Sequence, residues 1–103
     1  VGRQLPLSSG SAARIIAAHV DINTDNASFT QEDIEAARNQ GYSESIEERE
    51  AGLASISAPV FDSSGTFLAV LSISGSAERF QPSPAQKYAD ILTSAARELS
   101  NLL

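Results

Sequence analysis

The sequence contains no cysteine, methionine or tryptophan, and its only histidine is His19. The absence of cysteine excludes disulfides, thiolate nucleophiles and cysteine-ligated metal sites. A single histidine leaves little for histidine catalysis or for a histidine-rich metal site. We therefore expect neither a metal nor a cofactor. A chain without disulfides suits a reducing cytoplasm, which is the expected location.

Positive charge is also scarce, with 7 Lys and Arg against 13 Asp and Glu and a net charge of −6. The basic residues are spread along the chain, whereas binding to a phosphate backbone requires a concentrated basic patch. We therefore do not expect this chain to bind nucleic acid directly. It has no run of about 18 apolar residues, so no membrane span is expected either.

The length of 103 residues and the 42% hydrophobic content are typical of one globular domain. Because the chain begins with Val1 and lacks methionine, we expect it to be a piece of a longer protein.

Three segments carry helical signals. Residues 10–20 place apolar side chains at helical spacing. Residues 31–40 follow Thr30, an N-cap candidate, and precede Gly41, a natural C′ residue; their few apolar positions predict a surface helix. Ser83, Pro84 and Gln86 supply an N-cap, a proline at N1 and a partner at N3. Apolar residues then recur every three or four positions to the end, which predicts a long C-terminal amphipathic helix.

Residues 52–61 and 66–74 predict two strands joined by a turn at 62–65, and residues 42–46 form a weaker strand candidate. A loop of two or four residues pairs Ser57 with Val70 and Ser55 with Ser72. Since side chains alternate between the faces of a strand, one face is then wholly apolar and is expected to lie under the C-terminal helix. Its members are Ala54, Ile56, Ala58, Val60, Phe67, Ala69, Leu71 and Ile73.

The opposite face mixes hydroxyl and apolar side chains. It carries four serines together with Leu53, Pro59, Phe61, Leu68 and Val70. Apolar walls with a few hydroxyls could form a pocket for a small polar ligand. An ordinary face exposed to solvent is the alternative, because serine is common there. The spacing alone leaves both interpretations open.

Catalytic signals are weak. A serine nucleophile needs a neighbouring base, and no G-x-S-x-G motif accompanies any serine. His19 is better interpreted as a residue at a helix end, where its charge favours the helix dipole. The acidic residues Glu44, Glu47, Glu48 and Glu50 lack the spacing of a metal loop and are expected to form a solvated edge. We therefore expect neither catalysis nor metal binding.

Several short motifs occur in an order that resembles the IclR family of bacterial transcription regulators. They are LPLSSGSAAR at residues 5–14, GY at 41–42, E-x-G at 50–52, ISAPVFD at 56–62, AVLSISG at 69–75 and AERF at 77–80. The resemblance implies an α+β, GAF-like domain: a curved antiparallel sheet flanked by helices. Residues 1–103 would form the effector-binding domain, truncated at its N-terminal side.

The resemblance also implies a function. In this family the domain senses a small molecule, commonly a small carboxylate or an aromatic acid, while a separate winged helix-turn-helix domain binds DNA in a homodimer or homotetramer. By position, the implied ligand-binding residues are Ser11, Ala12, Glu48, Glu50, Pro59, Ser72 and Ser74. A structural or dimerisation domain without a working ligand site is the alternative function.

Overall fold

The computed structural model describes residues 10–20, 29–46, 51–81 and 83–103. Within these ranges the helices are α1 (Ser11–His19), α2 (Gln31–Gln40) and α3 (Pro84–Leu102), and a short 3₁₀ helix spans Ala77–Phe80. The strands are β1 (Ser43–Ile46), β2 (Leu53–Phe61) and β3 (Phe67–Ser76). They form one antiparallel sheet in the order β1-β2-β3, which confirms the α+β class.

The predicted helix boundaries are confirmed by local hydrogen bonds. At the start of α2, the Asp33 N–H donates to Thr30 Oγ1 at 3.2 Å, and the Thr30 N–H donates to Asp33 Oδ2 at 2.9 Å. This reciprocal capping box satisfies two N–H groups that a helix leaves unpaired. Gly41 ends α2 with a φ of +83°, a left-handed conformation that favours glycine. At α3, the Ser83 hydroxyl accepts from the Gln86 N–H.

The pairing of β2 with β3 differs from the predicted pairing by two residues, because Ser57 lies opposite Ser72 instead of Val70. The first part of the shift comes from the turn. The Asp62 N–H donates to the Thr66 carbonyl at 2.9 Å, so three residues form the loop, and Gly65 adopts a φ of +86°. The second part is an irregularity between Val60 and Phe61. Together the two shifts move the pairing by two residues. Because side chains alternate with period two, residues 53–60 and 69–74 still point to the faces predicted for them.

Phe67 is the exception, and its predicted place on the apolar face was wrong. It lies between the two shifts and pairs with Phe61. Its ring is 6.2 Å from the Phe61 ring and packs with α1, on the serine-bearing face of the sheet. A displacement of one residue inverts the side-chain direction in a strand, which explains the error.

Two apolar clusters lie on opposite sides of the sheet. The first joins the even-numbered side chains of β2 to Phe80 and to Leu92 and Ala96 of α3. The second joins α1 to Phe29 and α2, with Phe67 and Val70 of β3 against it. Helix α1 covers the part of the serine-bearing face that includes Ser57, whereas Ser72 and Ser74 of β3 on the same face are exposed.

Helix α3 buries fewer of its apolar side chains than its amphipathic sequence pattern predicts. Leu92 and Ala96 are buried, but Ile91 is 63% exposed and Leu102 is 82% exposed. Leu99 and Leu103 are also exposed, so α3 lies across the apolar face of the hairpin as predicted, but it contacts that face through only part of its apolar stripe. Within the described ranges, no helix is both long and apolar enough to cross a membrane.

The orientation of α3 predicts different costs for two neighbouring substitutions. Leu92→Ala removes a buried side chain and should lower the free energy of unfolding by about 2–5 kcal/mol. Ile91→Ala, the matched control one residue earlier, should change it by no more than about 0.5 kcal/mol. Urea unfolding of both variants measures this difference. Equal costs would show that α3 packs through another face.

Candidate functional site

Five serine side chains form a continuous chain of hydroxyl contacts between α1 and the sheet. Ser11 Oγ lies 2.6 Å from Ser55 Oγ and 2.8 Å from Ser57 Oγ. Ser57 Oγ lies 2.6 Å from Ser72 Oγ, and Ser55 Oγ lies 3.1 Å from Ser45 Oγ. We call this row, in the order Ser45, Ser55, Ser11, Ser57 and Ser72, the serine chain.

The strand register brings these hydroxyls together. Ser45 is paired with Ser55 across β1 and β2, and Ser57 with Ser72 across β2 and β3. Ser55 and Ser57 share a face because they are two residues apart. Ser11 is the first residue of α1 and joins the two pairs from above. Gly10 precedes it with a φ of +95°, which glycine adopts readily, so α1 can begin directly over the sheet.

Exposure changes along the serine chain. Ser57 is fully buried at 0% exposure and Ser11 is buried at 2%, whereas Ser72 is exposed on β3, which pairs only with β2 among the described residues. Buried hydroxyls are tolerated only when they are hydrogen-bonded, and the contacts between serines meet that requirement here. The cluster is therefore anchored in the interior and reaches solvent at β3.

The structure brings together most of the ligand-binding residues that the sequence predicted. Ser11 and Ser72 are linked through Ser57, and Ser74 is paired with Ser55 and exposed. Ala12 follows Ser11 in the first turn of α1 and is half-buried. Pro59 continues the serine-bearing face of β2, opposite Val70. Glu48 and Glu50 lie outside the described residues.

Ser55 and Ser57 were predicted on the face that could form a pocket but not among the named ligand-binding residues, and Ser45 was not predicted at all. The alternation of β2 already placed Ser55 and Ser57 on the correct face, so that signal was available. Their importance depends on Ser11, whose position over β2 arises only from the tertiary fold. Ser45 could not be found without the register of β1, which sequence patterns left undefined.

His19 lies at the opposite end of α1 from Ser11. Its ring stacks on Phe67 at 5.2 Å and meets Phe61 edge-on at 5.2 Å. Burial lowers the pKa of His19 below its usual value, and the positive charge of Arg38 lowers it further. Stacking of a neutral ring therefore explains this residue better than the predicted interaction of a charged imidazole with the helix dipole.

A cavity of about 470 Å³ lies beside α3. It is next to the last residues of β2, which extend past Ser43, the first residue of β1. The Phe61 N–H donates to Ser100 Oγ of α3 at 3.1 Å, so this N–H points away from β3. Pro59, two residues earlier, has its nitrogen on the same edge of β2 and lacks a hydrogen to donate, which suits a stretch of that edge where no strand of the described ranges pairs with β2. The cavity is lined by Gln40, Gly41, Tyr42, Ala58, Pro59, Phe61, Ala89, Asp90, Thr93, Ala96, Arg97 and Ser100.

Among the residues that the structure describes, no group of three or more His, Asp or Glu side chains could hold a metal ion. The acidic stretch 47–50 is outside those residues.

The environment of His19 predicts its titration. Because the fold lowers the pKa of this side chain, its NMR titration midpoint should lie below 6.5. The unfolded chain then binds the proton more readily, so the His19 contribution to stability is complete above about pH 6.5 and is lost as the pH falls below it. His19→Gln should remove this part of the pH dependence below about pH 6.5. A midpoint at or above 6.5 would contradict the burial of the ring.

Comparisons with known proteins agree with this fold. The family model "Bacterial transcriptional regulator IclR C-terminal" matches residues 23–101. The transcriptional regulator KdgR of Escherichia coli is 45% identical over 67 residues, which are 65% of this chain and 26% of KdgR. This chain spans between 22% and 27% of the length of such curated relatives.

Two solved structures are also similar. The C-terminal domain of Escherichia coli KdgR matches with a TM-score of 0.75 and 32% identity, over 97% of this chain and 72% of that domain. The inducer-binding domain of Acinetobacter PobR, a double mutant in complex with 3-hydroxybenzoic acid, matches with a TM-score of 0.84 over all of this chain and 72% of that one. Its identity of 24% supports the fold alone. The chain belongs to the IclR family of bacterial transcriptional regulators and corresponds to part of their C-terminal domain.

Proposed function

We propose that this chain is the effector-binding part of a transcriptional regulator and binds a small carboxylate or an aromatic acid beside the serine chain. The observation that carries the proposal is the link from Ser11 through the buried Ser57 to the exposed Ser72. It places the start of a helix and an accessible hydroxyl at one location. The proposed ligand-binding residues are Ser11, Ala12, Pro59, Ser72 and Ser74, together with Glu48 and Glu50, which lie outside the described residues and are proposed from the family resemblance alone.

The chemistry of this location suits a carboxylate. The first turn of a helix presents backbone N–H groups that favour an anion, and Gly10, the residue before α1, has no side chain that could cap them. Ser72 and Ser74 lie on one face of β3 and are exposed, so both hydroxyls can donate to carboxylate oxygens. Val70 and Pro59 continue the same face and could contact an apolar part of the ligand.

The role of the whole protein follows from its family. A separate winged helix-turn-helix domain would bind DNA in the cytoplasm, in a homodimer or homotetramer, and this acidic chain would contribute the response to the effector. By the family resemblance, residues 1–103 would form a domain truncated at its N-terminal side; this chain covers 72% of the KdgR C-terminal domain. The PobR domain, which shares this fold, is in complex with 3-hydroxybenzoic acid, and we propose an aromatic acid as one class of ligand for this chain as well.

Catalysis is not part of the proposal. Activation of a serine nucleophile requires a base within hydrogen-bond reach. The sole histidine, His19, is the last residue of α1. It lies eight residues after Ser11, and this separation corresponds to about 12 Å along the helix axis. The relatives are transcriptional regulators, which agrees with a function in binding.

A thermal-shift screen tests the ligand-binding proposal. The panel contains 3-hydroxybenzoate, benzoate, acetate and pyruvate. A ligand at about one hundred times its Kd should add about 2.7 kcal/mol, which is a shift on the order of ten degrees for this size of domain. Ser74→Leu should abolish the shift by filling the site. Ser76→Leu, the same change at the exposed end of β3, should preserve it.

Self-assembly is a second candidate function, and the outer edge of β3 favours it. β3 is a ten-residue strand with no charged residue and no proline, and within the described residues only β2 pairs with it. Natural edge strands usually carry such residues to prevent pairing with another chain. If the panel gives no shift with any acid, while light scattering finds a dimer that Ser74→Leu leaves intact, assembly is the better account.

A further inference from the structure

The serine chain contains one more proton than its internal contacts can use. Five hydroxyl groups carry five protons, and the four contacts between them each take one. One hydroxyl must therefore direct its proton out of the chain. The identity of that hydroxyl decides which ligand groups the site can accept.

Burial restricts the choice among the interior members. Ser11 and Ser57 are almost fully buried, and each already contacts two other serines. A proton directed elsewhere from either side chain would be unpaired, which is costly in a protein interior. Ser55 also lies between two serines. If it directed its proton outward, the hydroxyls of Ser45 and Ser11 would both have to donate to it, so the chain would change direction at Ser55. Hydroxyls that donate in series strengthen one another, so a chain with one direction is favoured.

The two ends of the chain differ. Ser45 is 9% exposed, and among the described residues its hydroxyl has a hydrogen-bond contact only with Ser55, at 3.1 Å. If Ser45 directed the extra proton outward, that proton would have no protein acceptor among the described residues and little access to water. Ser72 is exposed on the edge strand, so its proton can reach water or a ligand.

We propose that the serine chain is polarised outward, with each hydroxyl donating to the next from Ser45 to Ser72, so that Ser72 donates to the ligand. This inference rests on the proposed function and adds a rule for the ligand: the group at Ser72 is a hydrogen-bond acceptor, such as a carboxylate oxygen. Ser45, Ser55, Ser11 and Ser57 act as positioning residues that make Ser72 a stronger donor than an isolated serine.

The direction of the chain can be measured without a ligand. In the outward direction the Ser57 hydroxyl donates to Ser72, so Ser72→Ala removes its acceptor. NMR in cold water should then show exchange of the Ser57 hydroxyl proton with solvent that is at least about fivefold faster, the effect of losing one hydrogen bond. Ser72→Thr retains a hydroxyl and should keep the proton protected. Ser76→Ala, outside the chain, should have no effect.

The opposite direction predicts a different result. There Ser57 donates to Ser11, and Ser72→Ala leaves that bond in place. An unchanged Ser57 proton in Ser72→Ala would therefore overturn the proposal. A Ser57 hydroxyl proton that exchanges at the rate of a free serine in the unmodified chain would overturn it as well, because it would show that the buried contacts do not form.

Binding of two probes tests the rule for the ligand. Benzoate offers only acceptors and benzylammonium only donors, so the outward chain favours benzoate, and Ser57→Ala should weaken benzoate binding about fivefold by removing the donor to Ser72. Tighter binding of benzylammonium would contradict the outward direction. If no carboxylate of the panel binds while the Ser57 proton responds as expected, the proposed function fails and the direction of the chain stands.

Discussion

The pairing of β2 with both of its neighbours aligns hydroxyls from three strands in one row on the sheet. A shift of one residue on either side would replace part of this row with side chains from the opposite face, such as Glu44 of β1 or Leu71 of β3. The three-residue turn and the irregularity at Val60 and Phe61 each shift the pairing by one residue, and together they keep serine opposite serine. The first shift alone would have directed Leu71 and Ile73 towards α1.

This alignment also explains why α1 can lie over a polar part of the sheet. A helix that covers hydroxyl groups excludes water from them, so every buried hydroxyl needs a partner within the protein. Ser11 provides it by contacting Ser55 and Ser57 together. The rest of the helix packs through Ala13, Ile15 and Ala18 in the second apolar cluster. One end of α1 is therefore fixed by hydrogen bonds and the remainder by apolar contact.

The predictable parts of this fold are those determined by nearby residues. Thr30, Gly41 and Ser83 define helix ends through contacts within a few positions, and the sequence located all three. The exact strand pairing depends on a turn conformation and a bulge that many sequences permit, so it was missed by two residues. Phe67 was assigned to the wrong face for the same reason. The convergence of Ser11 with Ser72 was implied only by the resemblance to a family.

The central claim is that ligand binding occurs beside the serine chain and not in the cavity beside α3. Titration of the ¹⁵N-labelled chain with 3-hydroxybenzoate, followed by amide chemical shifts, tests it most directly. The account predicts the largest shift changes at Ala12, Ser72 and Ser74. Saturable changes confined to Tyr42, Thr93 and Arg97, around the cavity, would contradict it.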